Sequence, residues 1–146
     1  MVLFELFEQL HDEFEPLAIK KGLNLSYIDS NIELIASHII LYRILSNLLM
    51  NAIRYSYKGR IIFGVRRRNT SIELQVIDSG IGLLESDCQA LMSPFKQGEH
   101  ANSAGYGLGL FIVKTLCYQC QYDFFVSSKL GKGSIFSVNI PLACRA

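Results

Sequence analysis

Between His38 and Tyr57 apolar side chains recur every three to four residues, and in the next two stretches, RIIFGVRR and SIELQVID, the repeat drops to two. A period near 3.6 belongs to an amphipathic helix and a period of two to a half-buried strand, so the switch commits the chain to helices packed on a sheet. The same change of period recurs elsewhere. Leu6, Leu10, Phe14 and Leu17 mark a first helix over residues 4 to 21, with Pro16 in its last turn and Gly22 at its end. LNLSYI and IELIA flank Asp29-Ser30-Asn31 and read as two short strands joined by a turn. Ser37 is a candidate cap and Gly59 the stop of the long helix. RIIFGVRR and SIELQVID read as one β-hairpin, YDFFVS and SIFSVNIPL as another across Leu130-Gly131-Lys132-Gly133. A short helix is expected around Glu85 to Met92, and an apolar helix from Gly107 to about Gln119. The pattern argues for an α+β sandwich, helices on one face of a mostly antiparallel sheet, as one domain over residues 1–146.

Composition narrows what such a domain binds. With 14 basic and 13 acidic residues the formal charge is +1, which supplies no long-range field for nucleic acid or an anionic membrane. Arg66-Arg67-Arg68 is the only basic run, and its place before Asn69-Thr70-Ser71 makes it a solvated hairpin tip. No apolar stretch approaches the roughly 20 residues that span a bilayer, and the N-terminus has no signal-peptide pattern, so the segment is expected in an aqueous compartment. Cys88, Cys117, Cys120 and Cys144 are too few for a disulfide scaffold and are expected reduced. Cys117 and Cys120 form a C-x-x-C pair late in a helix, with no second pair to complete a zinc site.

Three features carry chemistry. In NSAGYGLGLF, Gly105, Gly107 and Gly109 alternate before a helix. They fit neither G-x-x-x-x-G-K-[ST] nor G-x-G-x-x-G, and leave either an ordinary loop-to-helix junction or a backbone cradle for an anion at a helix N-terminus. On the long helix Arg43, Asn47, Asn51, Arg54 and Lys58 fall within an arc of about 80°. Amide oxygens beside cationic groups suit magnesium-bound polyphosphate; a merely polar surface is the other reading. Asp78 is in phase with Ile72, Leu74 and Val76, toward the core, where a carboxylate needs a donor such as an adenine amine; a strand-end turn cap is the alternative.

Together these segments resemble the ATP-binding catalytic domain of sensor histidine kinases, of the superfamily shared with gyrase, mismatch-repair and heat-shock chaperone ATPases. The likeness runs from about Phe4 to Leu142. NLLMNAIRYS is similar to the asparagine box, DSGIG and GYGLGL to the two main glycine boxes, SPFKQG to the phenylalanine box and GKGSIF to the last glycine box. The resemblance implies a Bergerat-type fold, a two-layer α/β sandwich with a mixed sheet of about five strands and three main helices. It implies ATP and magnesium as cofactors, with Asn51 the metal ligand, Asn47 and Arg54 near the phosphates and Tyr55 along the nucleotide. Asp78 would accept from adenine, Gly80 and Gly82 would shape the base pocket, and Gly105, Gly107, Leu108 and Gly109 would cradle phosphates under a lid of roughly residues 93 to 105. Ser134 stands where threonine is common, and Gln97, with Lys96 beside it, stands where many relatives carry a lid arginine.

Hydrolytic relatives place a general-base glutamate where this chain has Asn47, an amide without useful basicity, which favours transfer to a histidine over hydrolysis. A stretch like H-E-x-R-T-P-L, which carries the acceptor in such kinases, is absent. His11 lies in the first helix without that context, and neither His38 nor His100 has a metal-like partner nearby in sequence. The implied partners are therefore a separate dimerisation and phosphoacceptor hairpin of the same parent protein and a response-regulator receiver domain. This segment is expected to be cytoplasmic and monomeric, with an inner-membrane anchor for its parent protein as the accompanying expectation. The alternative is a degenerate module of the same fold that binds a nucleotide or partner and transfers nothing.

Overall fold

The computed structural model describes residues 1–92 and 108–142. Over them the chain runs α1 (Leu3–Lys20), β1 (Leu23–Tyr27), α2 (His38–Tyr55), β2 (Gly59–Arg67), β3 (Ser71–Asp78), α3 (Glu85–Met92), α4 (Leu108–Cys120), β4 (Asp123–Lys129) and β5 (Gly133–Pro141). The strands form one mixed sheet in the order β1-β2-β3-β5-β4. Only β1 and β2 pair in parallel; β2 with β3, β3 with β5 and β4 with β5 are antiparallel. Parallel neighbours need a crossover connection, and α2 is that crossover.

Period-two alternation sets which side of the sheet is covered. Ile72, Leu74 and Val76 of β3 are buried together with Asp78, while Glu73, Gln75 and Ile77 alternate with them and are only partly covered. Helix α2 turns Leu41, Leu45, Leu48, Leu49 and Ala52 into that core, and α1 adds Leu6, Phe7, Leu10 and Phe14. Each such side chain contributes about 1.5–3 kcal/mol relative to exposure. The Phe7 ring meets Phe63 of β2 edge-on, centroids 5.4 Å apart, and Tyr27 of β1 at 6.2 Å, so α1 seals the parallel edge of the sheet. The fourth helix, the short α3, packs on β4.

The helix ends follow local chemistry. Ser37 Oγ accepts the Ile40 N–H at 3.3 Å, capping α2 as expected. The helix closes at Tyr55 rather than Tyr57, because Ser56 has extended backbone, so Lys58 lies beyond the helix and leaves the polar stripe. Two further expectations are corrected. IELIA is not a strand beside β1: Glu33 makes a single bridge to Val2, the Leu34 N–H donates to Met1 O at 2.8 Å, and the Leu3 N–H donates to Ile32 O at 3.2 Å. The segment buries Leu34 by alternation, yet its partner is the start of the chain and β1 is left to β2. In α1, Leu17 is 39% exposed and Ala18 is buried in its place, since the buried stripe follows i, i+4 from Phe14.

Candidate functional site

One face of α2 organises the site. Asn51 is 5% exposed, and its Nδ2 has no hydrogen-bond partner among the described residues. One turn earlier the Asn47 Nδ2 donates to Arg43 O at 2.7 Å, which pins that amide and turns its oxygen outward from the helix backbone. The first turn of α4 comes to these amides. A methyl placed on Gly109 would lie 3.0 Å from Asn47 Oδ1 and 3.7 Å from Asn51 Oδ1, so any side chain here would press on the Asn47 amide at this approach of α4. Helix α4 begins its described course there, and a helix's first backbone N–H groups have no partner within the helix itself; two amide oxygens face that turn.

The C-terminal end of the same helix meets the end of β3. A methyl on Gly80 would fall 2.9 Å from Tyr55 O and 3.0 Å from both Asp78 Oδ1 and Ser56 Oγ. Asp78 is 9% exposed, and its Oδ1 accepts the Gly80 N–H at 2.9 Å. Burial raises the Asp78 pKa above the ordinary 3.8; the N–H groups of Gly80 and Ser134 donate to the carboxylate and pull it back part of the way. Strand-end Asp78 and the two amides are thus joined through one helix, α2.

Other residues expected at the site are placed as follows. Ser134 is buried opposite Asp78 in the β3–β5 ladder, its hydroxyl 3.0 Å from Ser128 Oγ. Gly82 has φ +75° and its Cα faces the Lys129 carbonyl, so it docks the loop after β3 on the β4–β5 hairpin. Arg54 is exposed and Leu108 is 72% exposed. Lys96, Gln97, His100, Gly105, Gly107, Cys144 and the expected lid at 93 to 105 lie outside the described residues.

Ser128 was not anticipated. Its hydroxyl accepts the Leu83 N–H at 2.7 Å and bonds Gly133 O at 2.7 Å, tying the loop after Asp78 to the last hairpin. The signal that exposed Asp78 was available for it, since Ser128 is two residues after buried Val126 and shares its phase. Ser56, a buried hydroxyl without a partner among the described residues, carried no comparable signal.

A groove of about 710 Å³ lined by Phe4, Asp29, Ile32, Glu33 and Arg67 is a separate feature. In the β2–β3 register Asp78 faces Ile61 and Ile72 faces Arg67, so the groove lies at the far end of the sheet from the carboxylate, and none of the amides or glycines above line it. The site is defined by the chemistry around α2 and not by that volume.

A family profile described as histidine kinase-, DNA gyrase B- and HSP90-like ATPase matches residues 36–143, and the chain belongs to that family. Within it the chain is homologous to the ATP-binding catalytic domains of sensor histidine kinases. It is 30% identical over 151 residues to the autoinducer 2 sensor kinase/phosphatase LuxQ of Vibrio vulnificus, covering 95% of this chain and 18% of that protein. Sensor histidine kinase RcsC of Escherichia coli is 33% identical over 144 residues, 94% of this chain and 15% of RcsC. The chain thus spans less than a fifth of either relative. In fold it is similar to full-length ShkA in complex with AMPPNP, with a TM-score of 0.83 at 24% identity over 100% of this chain and 31% of ShkA. It is also similar to the nucleotide-free catalytic domain of histidine kinase ThkA, with a TM-score of 0.78 at 21% identity over 97% and 93% of the two chains. No described helix is long and apolar enough to cross a membrane.

Proposed function

We propose that the chain binds magnesium and ATP at the site along α2 and donates the γ-phosphoryl group to a histidine on a separate helical hairpin of its parent protein. The observation that carries this reading is the meeting of two amide oxygens with the start of α4 at one end of α2, while Tyr55 and Ser56 at the other end meet Asp78 and Gly80. The residues fit the ligands. Asn51 brings a buried carboxamide with an orphan polar atom, and Asn47 an oxygen that the Gly109 junction leaves uncovered. Neutral oxygens suit a hard divalent ion, which when bound offsets phosphate charge.

Asn51 and Asn47 would hold the metal and phosphates, and Arg54 would add positive charge, with Lys96 or Gln97 in the role of the lid arginine. Gly105, Gly107, Leu108 and Gly109 would present backbone donors to the phosphates. Asp78 would accept from the adenine amine with Gly80, Gly82 and Ser134 shaping the base pocket, and Tyr55 would lie along the nucleotide. In the transfer, phosphorus exchanges its bridging oxygen for a histidine nitrogen and ADP leaves. A histidine nitrogen needs little deprotonation, so the protein's work is positioning and charge neutralisation. The amide at Asn47 cannot activate water as a general base, which disfavours hydrolysis. The same assignment makes the phosphoacceptor hairpin the immediate partner, a receiver domain the next one, and the cytoplasm the compartment in which this segment works.

The test is a thermal titration with magnesium and ATP on the parent chain, Asn51→Ala and Asp78→Ala, followed by labelled phosphate transfer to the separately supplied hairpin. At a hundredfold excess over Kd, ligand raises the unfolding free energy by about 2.7 kcal/mol, and both substitutions are expected to remove most of that gain. Equal shifts in all three chains sink the site assignment. Binding without labelling of the hairpin sinks the transfer.

A further inference from the structure

Lys21 follows the last turn of α1, where its backbone N–H donates to Ala18 O at 3.0 Å. Its side chain leaves α1 altogether. The Nζ donates to Ile53 O at 2.6 Å and to Arg54 O at 2.9 Å, and lies 5.4 Å from the centroid of the Tyr57 ring. Those carbonyls belong to the final turn of α2, where carbonyl oxygens have run out of helical N–H partners and the helix dipole favours a cation. Three contacts from one ammonium therefore fasten residues 53, 54 and 57 to the α1–β1 corner.

That turn is where the two ends of the proposed site join. Asn51 precedes it by less than one turn, Arg54 is part of it, and the Tyr55 carbonyl that follows lies against Gly80 beside Asp78. A rotation of this turn would move the Arg54 side chain and shift Tyr55 against the strand end that carries the carboxylate. We infer that Lys21 is a positioning residue for nucleotide binding: it holds the last turn of α2 in the orientation that presents Arg54 and Tyr55 to the ligand. The inference rests on the nucleotide reading above. Lys21 acts through two carbonyls and a ring. Because its side chain is on the surface, replacing it leaves the core untouched.

The experiment measures magnesium-ATP affinity by calorimetry, and unliganded thermal midpoints, for the parent chain, Lys21→Met and Lys21→Arg, then repeats Lys21→Met in an Arg54→Ala background. Methionine keeps a long apolar stem and removes the cation. It is expected to weaken binding about three- to tenfold while moving the unliganded midpoint by only about 2–4 °C. Lys21→Arg, whose guanidinium also reaches two carbonyls, restores most of the affinity. With Arg54→Ala already present, Lys21→Met costs less than it does alone, because one of the two groups it orients is gone. Undiminished affinity in Lys21→Met, or the same loss with and without Arg54, overturns the inference and leaves Lys21 a cap for stability alone. A parent chain that fails to bind magnesium-ATP overturns the nucleotide reading itself and this inference with it, and the two failures are told apart because the parent is measured first.

Discussion

Asp78 shows what a single buried carboxylate costs. Its pKa is held above 3.8 mainly by burial, so the folded chain keeps that proton to higher pH than the unfolded chain does. The sign follows from linkage: the group's contribution to stability is fully present below the ordinary value and is lost as pH rises through the raised one. Asp78→Asn keeps an acceptor for the Gly80 N–H and removes the charge. Its thermal midpoint relative to the parent chain should therefore improve on going from pH 3.5 to neutrality, measured as paired melts across that range. Parallel curves for the two proteins would refute the burial argument. Nucleotide affinity should move the opposite way, weaker in Asp78→Asn at neutral pH, since the proposed adenine contact loses its anion. The burial of this residue is legible in the sequence, because its phase in SIELQVID is a matter of parity. The placement of Lys21 is not, for its partners are more than 30 residues away and nothing local in its sequence announces them.

At the scale of elements, the approach of α4 to α2 depends on Gly109. Alanine is a better helix residue than glycine by about 1 kcal/mol, and on propensity alone Gly109→Ala would stabilise α4. The added methyl would press 3.0 Å from Asn47 Oδ1, on an amide already fixed to Arg43 O. The expected outcome is an unliganded stability within about 1 kcal/mol of the parent chain, together with at least about a tenfold loss of magnesium-ATP affinity as the helix start is pushed off the amides. Chemical denaturation and calorimetry on the same preparation check it, and unchanged affinity would show that the close junction is only packing. Helices and strands with long, clean periods were readable from sequence to within a residue or two, as in SIELQVID and the helix read over His38 to Tyr57 and found over His38–Tyr55. IELIA was misread because alternation reports which side chains are buried and is silent about which backbone lies alongside. For residues 32–34 that neighbour is Met1 to Leu3.

Considered whole, the molecule needs more chain than the family profile covers. The matched segment starts at residue 36, after α1 and β1, yet Phe7 packs on Phe63 and Tyr27, and β1 pairs with the β2 edge from Gly59 to Phe63. A chain begun at residue 36 would expose those surfaces and leave an unpaired strand edge. It is expected to lose a cooperative calorimetric transition at temperatures where residues 1–146 unfold in one step; a sharp, comparable transition would show that the first two elements are dispensable.

The parallel placement of β1 beside β2 has one more consequence. To run the same way as its neighbour, the chain must travel back along the whole sheet between them, and the return journey is the helix that bears both asparagines. Peptides spanning residues 38–58 or 71–82 alone would each own a single jaw of the proposed clamp. Grip on the nucleotide is thus a gauge of completed tertiary assembly, and it should arise late in refolding, after far-apart stretches of the chain have found one another.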